Sequence, residues 1–558
     1  MDSQIRLIID TREPFAAGTG FGRVGAYEKW VGRVEFAINP QDPAYQGVVD
    51  LEYAPREASG RVTFSTDLCI LKPSDLARGN HRLIYDVNNR GNKRLLRDFN
   101  DAPENEGNST GNNPSTLQDA GNGFLMRYGY TIVWSGWQGD ILPGAHRLTM
   151  RLPVATDEGQ DLTGIVRTEL MTEQPNTVWL PLSGNDYTLS YESVSLDTAA
   201  ATLTCREHES DARMPITSDA WQFARLDEHG TVMPSTTHCY LPAGFKPGWL
   251  YELIYTAKNP PLMGLGFIGI RDLIAFLIHA DTDADGTPNP LQKQGVRMEK
   301  AYAWGISQSG RLLREFVYRG WNADAQGRRV FDAVSPDVSG GGRVTLNYRF
   351  AQPGRYPRQH SDHLYPSDQF PFAYAVITDP LTARTDGILK RPETDPLVLH
   401  TQSSAEYWER RGSLVHTDPL GNDLADHEHA RVYLFASAPH GPFPQPDPGD
   451  MPYVHAKNLL KTTPLLRALL VALDAWATDG TPPPPSHVPT RADASAVSAD
   501  EVRKRFPTLP GVVCPGEPNR LYVQSFGPDF ERGVFSKDPP EEDKDREYTV
   551  WVPQIDTD

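Results

Sequence analysis

A serine between small residues is the first feature of this sequence that suggests catalysis. The segment AYAWGISQSGRLLREFVYRG passes from an apolar stretch through Gly305, Ser307 and Ser309 into an amphipathic stretch. This order predicts a strand, a sharp turn and a helix, which together lift a nucleophilic serine above the edge of a sheet. Ser309 stands where glycine is usual, so Ser309 is a second candidate nucleophile. We prefer Ser307 because it holds the central position of the motif, between Gly305 and Ser309. The alternative is an ordinary strand-to-helix turn in which Ser309 caps the helix.

A serine hydroxyl is a weak nucleophile until a base removes its proton. His440 lies in Ala-Pro-His-Gly after the apolar run RVYLFAS, and Glu406 lies in QSSAEYW after the apolar run PLVLHT. Serine, acid and histidine therefore follow predicted strands in the order of a hydrolase triad, and we predict that Ser307, Glu406 and His440 form one. Taken singly, His440 also fits a surface loop and Glu406 the first turn of a helix. Three other residues compete for the acid and base roles: Asp395, Asp418 and His416.

Acyl transfer also needs amide groups that stabilise the oxyanion of the tetrahedral intermediate. We predict that the amide of Gln308 supplies one donor and that the loop Asn88-Asn89-Arg90-Gly91-Asn92 supplies another, from Arg90 or Gly91. The alternatives for this loop are that Arg90 binds a substrate carboxylate or that the loop is a polar turn satisfying its own backbone. Four further residues are candidates for the pocket wall, although the aromatic ones also fit an ordinary core: Asn89, Trp137, Tyr407 and Trp408.

Composition limits the classes of partner. The 558 residues carry a net charge of −18 without a cluster of basic residues, which argues against nucleic acid. Four widely spaced cysteines predict no zinc site, and the calcium-like start at Asp281 fails in its second half, so we predict no metal and no cofactor. The chain has no apolar run long enough to span a membrane and no signal peptide at its start, so we expect a cytoplasmic protein, or a secreted one whose signal was removed. The oligomeric state stays open.

Apolar runs separated by turn signals predict the elements that position these residues. Several runs predict the buried strands of a mostly parallel, doubly wound α/β sheet. These runs are RLIYDV (82–87), TIVWSGW (131–137), WLYELIYTA (249–257), KAYAWG (300–305), FDAVSPD (331–337), PLVLHT (396–401) and RVYLFAS (431–437).

The same patterns divide the chain into seven regions. They are β-rich N-terminal strands leading into the sheet (1–81), the first part of the core (82–144), an inserted β-rich module (145–248), the core with the serine turn (249–339), a cap or lid insertion (340–395), the core with the acid and histidine loops (396–480) and an extended C-terminal segment (481–558).

The sequence resembles a little-characterised group of large α/β-hydrolase domain proteins from bacteria and fungi. The resemblance covers most of the chain and rests on motifs in a fixed order: GRVGAYEKWVGRVEFAINP, YDVNNRGNK, YGYTIVWSGWQGDI, GLGFIGIRDLIAFL, GISQSGRLLREFVY, SSAEYW with LVHTDP, and APHG. It implies an α/β-hydrolase fold and hydrolase activity, with Ser307 at the elbow, Glu406 in the SAEYW loop and His440 in the last loop. It implies no substrate.

From the triad chemistry we predict hydrolysis of a small-molecule carboxylic ester through an acyl-enzyme. Two alternatives stay open. The same triad performs acyl transfer to an alcohol if the pocket excludes water, and a protein that keeps the fold without the chemistry would only bind a small molecule.

Overall fold

The computed structural model describes residues 4–103, 111–293, 295–366, 368–441, 458–536 and 540–555. Within these ranges the chain forms the following strands: β1 Gln4–Pro14, β2 Tyr27–Ile38, β3 Val62–Pro73, β4 Arg82–Asp86, β5 Thr131–Ser135, β6 Met150–Arg151, β7 Thr156–Asp157, β8 Gln160–Asp161, β9 Thr163–Leu170, β10 Trp179–Pro181, β11 Thr202–Arg206, β12 Met214–Ile216, β13 Ala224–Leu226, β14 Val232–Pro234, β15 His238–Tyr240, β16 Leu250–Lys258, β17 Lys300–Ile306, β18 Ala333–Asp337, β19 Ile377–Thr378, β20 Thr385–Asp386, β21 Leu397–Ser403, β22 Ala430–Phe435, β23 Ala496–Val497, β24 Tyr522–Ser525, β25 Glu541–Glu547 and β26 Val552–Pro553.

The α-helices of the same ranges are α1 Leu95–Asn100, α2 Phe124–Tyr128, α3 Leu265–His279, α4 Gln308–Tyr318, α5 Ser404–Glu409, α6 Thr463–Asp479 and α7 Ala499–Arg505. Helix α6 is followed by Gly480, which adopts the left-handed conformation that glycine permits at such a position. No helix in the described part of the chain is both long and apolar enough to cross a membrane.

One large mixed sheet organises the molecule. Its strand order is β1-β2-β3-β5-β4-β17-β18-β21-β22, and β6 pairs with β3. Strands β5, β4, β17, β18, β21 and β22 run parallel to one another, whereas β1, β2, β3 and β6 form an antiparallel arm. The N-terminal strands therefore extend the main sheet itself, and the sheet is less uniformly parallel than the sequence predicts.

Helices cover both faces of the parallel part because its strands are apolar on both sides. In β4, Leu83 and Tyr85 join the apolar cluster formed with α3 and α4, whereas Ile84 between them joins the opposite cluster, formed with α1 and α6. Successive side chains of a strand point to opposite faces, so a continuous apolar run is what a two-sided core requires.

Strand β16 corrects one prediction. The sequence assigns residues 249–257 to the main sheet, but β16 lies in a separate antiparallel sheet of order β12-β11-β16-β9. Strand β16 pairs with a strand on each side, β11 and β9, and it is as apolar as a strand of the parallel core. The apolar pattern alone therefore does not show which of the two sheets contains it. The main sheet resumes at β17.

The segment between β18 and β21 packs against the second sheet. Arg355 donates to Glu169 O at 3.1 Å and to Thr168 Oγ1 at 2.7 Å, and both acceptors belong to β9. This guanidinium therefore ties the segment predicted as a cap (340–395) to the module that carries β9.

Candidate active site

Ser307 lies at the turn from β17 into α4. Its backbone has φ 58° and ψ −114°, in a region that residues with a side chain rarely adopt, and its N–H donates to Asp337 O at 2.8 Å. Ser307 is partly exposed, whereas its neighbours from Ala301 to Val317 are buried. The strained turn therefore presents this one hydroxyl at the carboxyl end of the sheet.

The residues around Ser307 are small for a measurable reason. A β-carbon on Gly305 would lie 2.7 Å from the backbone of Ser309, and one on Gly310 would lie 2.9 Å from Gly305 O and 3.0 Å from Asp337 O. Glycine is therefore required at 305 and 310. Ser309 itself is completely buried and donates from Oγ to Asn88 O at 3.0 Å, which leaves Ser307 as the serine with a free approach.

His440 lies in the loop after β22 and contacts both other members of the predicted triad. Its Nε2 is 2.9 Å from Ser307 Oγ, and its Nδ1 is 2.5 Å from Glu406 Oε1. In the tautomer that fits these contacts, Nδ1–H donates to the carboxylate and Nε2 accepts from the serine hydroxyl. The structure thus brings together three residues that are 34 to 133 positions apart in the chain.

Glu406 is fully buried in the first turn of α5, where it also caps the helix. Its Oε2 accepts from Ser403 N at 2.7 Å and from Ser403 Oγ at 2.5 Å. Burial by itself raises the pKa of this carboxyl, but the interaction with His440, the charge of Arg410 and the hydrogen bond from Ser403 outweigh burial, so the net shift is downward. Glu406 therefore stays ionised beside the imidazole. It lies in the first turn of a helix, as the alternative expects, and it also contacts His440, as the triad prediction requires.

Two opposing effects set the pKa of His440. Removal from water and the positive charge of Arg410 lower it, whereas the Glu406 carboxylate raises it, and the net shift is downward. The imidazole is accordingly neutral at pH 7, as a general base must be.

The competing acids and base are engaged elsewhere. Asp395 accepts from Arg391 N at 2.6 Å, and Asp418 accepts from two amides of its own turn at 2.9 Å. His416 Nε2 lies 2.9 Å from the hydroxyl of Tyr407. Each makes local contacts that stabilise a turn or the interior.

The predicted oxyanion donors surround the elbow. Gln308 is the first residue of α4, so its amide has no acceptor within the helix. The loop after β4 is fixed to the elbow because Asn89 Nδ2 donates to Ile306 O at 2.9 Å. Within that loop, Gly91 N already donates to Asn88 Oδ1 at 3.1 Å, which corrects the prediction for Gly91 and leaves the amide of Arg90 as the candidate.

Three of the four predicted pocket residues have internal roles, which corrects that expectation. Trp137 is fully buried in the core beneath the loop, and its indole donates to Asn88 O at 2.7 Å. Tyr407 is also fully buried, against His416, and Trp408 packs on the apolar cluster of Val497, Val502 and Val552. Asn89 adjoins the elbow, but its side chain is used to hold the loop.

A short stretch of the predicted cap lies against the elbow, a contact that sequence reasoning missed. Gln308 Nε2 donates to Pro353 O at 2.9 Å, and Arg90 Nη2 donates to Gly354 O at 3.4 Å. The residues that follow bring Tyr356 into contact with the guanidinium groups of Arg311 and Arg410. The only signal in the sequence is that 340–395 is rich in arginine, proline and aromatic residues.

The described residues include no group of three or more His, Cys, Asp or Glu side chains that could hold a metal ion.

Comparison with models of protein families finds a match to part of the chain. Residues 255–505 match the model of a family described as an alpha/beta hydrolase domain, and this range includes the elbow and both loops that face it. The match supports an α/β-hydrolase domain over this range, which confirms the resemblance inferred from the motifs, and it suggests a hydrolase-type function. Searches of curated proteins and of solved structures found no match to the chain.

Proposed function

We propose that the protein is a serine hydrolase that cleaves a carboxylic ester through an acyl-enzyme intermediate. The observation that supports this proposal best is the unbroken hydrogen-bond chain from Ser307 Oγ through both nitrogens of His440 to Glu406, at 2.9 Å and 2.5 Å. A nucleophile hydrogen-bonded to a base, with the base oriented by a buried carboxylate, is the arrangement that acyl transfer uses.

The contacts assign a role to each group. His440 Nε2 takes the proton of Ser307 as Oγ attacks the ester carbonyl carbon, and the amides of Gln308 and Arg90 stabilise the oxyanion. The imidazolium then gives its proton to the departing alkoxide, which leaves as an alcohol. Water, deprotonated by the same nitrogen, hydrolyses the acyl-serine and restores the enzyme, while Glu406 stays ionised and stabilises the imidazolium.

The first test is covalent labelling with a fluorophosphonate, read by mass spectrometry of the intact protein. We expect one adduct on the wild type and on Ser309→Ala, and none on Ser307→Ala. Ser309→Ala is the matched control because it removes a hydroxyl two residues away that donates to Asn88 O. Labelling of Ser307→Ala, or of no form of the protein, would reject the assigned nucleophile.

Turnover gives the second test. A screen of short and aromatic 4-nitrophenyl esters is expected to give a rate on the wild type that falls by about 10⁴- to 10⁶-fold in Ser307→Ala. A folded wild type that takes the label but hydrolyses none of the esters would point to another acyl group or another acceptor.

A further inference from the structure

Arginine side chains gather next to the triad, and several of their buried nitrogens have no hydrogen-bond acceptor. Arg311 lies one helical turn beyond Ser307, whose carbonyl accepts from the Arg311 amide at 3.0 Å. Arg410 ends the helix that carries Glu406, and its Nε is 3.8 Å from Glu406 Oε1. The two guanidinium groups share one aromatic ring, since their Cζ atoms lie 4.2 Å and 5.0 Å from the centre of Tyr356.

Arg358 and Arg90 complete the group on the side of the cap. Arg358 is two residues beyond Tyr356, and Arg90 donates to Gly354 O in the same stretch of chain. Burial lowers the pKa of Arg311 to about 9, and the positive charges of Arg410 and Arg358 contribute to that shift. The cations are therefore close enough to repel one another.

Two of the nearby acids form ion pairs with arginines outside this group. Asp368 pairs with Arg411 at 3.2 Å and accepts from the Tyr356 hydroxyl at 2.7 Å. Asp362 pairs with Arg355 at 2.8 Å. Glu409 is partly exposed, and its charge acts on Arg358 through space.

Several guanidinium nitrogens of this group have no acceptor. Among the described residues, nothing accepts a hydrogen bond from Arg311 Nη1, Arg410 Nε, Arg358 Nε or Arg90 Nε, and all four atoms are shielded from water. Arg311 and Arg410 are only 2% and 4% exposed. Buried cationic donors without acceptors cost free energy, and an anionic ligand would remove that cost.

We propose that the ester carries a carboxylate, which Arg311, Arg358 and Arg410 bind beside the reacting carbonyl. This inference rests on the proposed function, because it places the charged group next to Ser307. Each guanidinium group is planar and carries its N–H donors in a fixed fork, which suits the two oxygens of a carboxylate. The chain as a whole is strongly acidic, so the local positive charge is a property of this site.

The test compares two esters that differ only in this charge: mono-4-nitrophenyl adipate and its methyl-capped diester. For the wild type we expect kcat/KM for the acid to exceed that for the capped ester by about 10- to 100-fold, the range of charged hydrogen bonds. Arg358→Gln and Arg311→Gln should remove most of that preference by slowing the acid alone. Equal kcat/KM for both esters on the wild type would overturn the inference and leave the esterase proposal intact.

Arg319→Gln is the matched control. Arg319 directly follows the helix that carries Arg311 and also lies over a tyrosine, Tyr348, at 5.8 Å, but its charge is matched by Glu315 at 2.7 Å. Its substitution should change both esters by the same factor. A loss of preference in Arg319→Gln as large as in Arg358→Gln would show a general structural effect and contradict the inference.

Binding to Ser307→Ala separates the two proposals, because it needs no turnover. Calorimetry should show the adipate monoester binding at least about tenfold more tightly than the capped ester, with the difference lost when Arg358→Gln is added. Tight binding of the acid without hydrolysis by the wild type would reject the esterase proposal only. Equal binding of the two esters, or displacement of the acid by inorganic phosphate at lower concentration than by adipate, would reject the carboxylate site.

Discussion

Replacing Glu406 with glutamine tests whether this residue serves catalysis as well as the helix. The carboxylate has two oxygens with two partners: Oε1 accepts from His440 Nδ1, and Oε2 accepts from Ser403 N and Oγ. A glutamine has one oxygen and one NH2 group in their place. If the oxygen keeps the Ser403 contacts, the NH2 faces His440 Nδ1 and favours the tautomer whose Nε2 carries a proton and no longer accepts from Ser307.

The opposite rotamer is no better. With its oxygen toward His440, the NH2 group would oppose the amide of Ser403, and two donors would face each other in a fully buried place. Either way the negative charge that stabilises the imidazolium is gone. We therefore expect Glu406→Gln to lower kcat by about 10³- to 10⁴-fold, which corresponds to about 4 to 5.5 kcal/mol of transition-state stabilisation.

The assay is kcat from ester hydrolysis together with urea unfolding of each variant. Ser403→Ala removes one contact to Oε2 and keeps the charge, so it should cost about 1 kcal/mol of unfolding free energy and less than about a tenfold loss of kcat. If Glu406→Gln retains more than about a tenth of the wild-type kcat, or if Ser403→Ala lowers kcat equally, Glu406 acts only as a helix cap and the reasoning is refuted.

Three further predictions concern the same site. The acidic limb of the profile of kcat/KM against pH should have its midpoint below pH 6.5, since the active form of His440 is neutral and its pKa is lowered. Arg410→Gln should move that midpoint to higher pH by removing a positive charge. An unchanged midpoint would exclude that charge as a cause of the lowered pKa. Gly310→Ala should cost about 1 to 3 kcal/mol of unfolding free energy in urea because its β-carbon would lie 2.9 Å from a backbone oxygen, whereas Gly111→Ala, with nothing within 4 Å, should stay close to the wild type. Asn89→Ala should lower kcat by about 10- to 100-fold, as the loop with the second oxyanion donor loses its hydrogen bond to the elbow backbone; an unchanged kcat would show that this loop does not stabilise the oxyanion.

The triad could be proposed from sequence because its members follow strands whose order in space is fixed by the fold. Ser307, Glu406 and His440 come shortly after the ends of β17, β21 and β22, and the carboxyl ends of parallel strands meet at one edge of the sheet. Strand patterns and residue types were therefore sufficient to bring these three together. The same reasoning located the loop after β4, which is the neighbour of β17.

Environment was harder to predict than location. The pattern around Trp137 and Tyr407 fits a pocket wall and a packed interior equally well, because both surround aromatic rings with apolar residues. The structure buries both completely. Strand β16 was assigned to the wrong sheet for a related reason. Its apolar run indicates that both faces are buried, but it does not indicate which neighbouring elements bury them.

The arginine group shows what local patterns miss altogether. Arg90, Arg311, Arg358 and Arg410 come from four regions of the chain, and none stands in a basic run that would mark an anion site in the sequence. Their common feature is a buried nitrogen without an acceptor, and this is visible only when the surrounding groups have been placed. Asp362 and Asp368 act on Arg358 and Arg311 through space, but each forms its ion pair with an arginine outside the group. Buried donors without acceptors are less stable when the site is empty than when it holds an anion, and this is the basis on which we propose a carboxylate in the substrate.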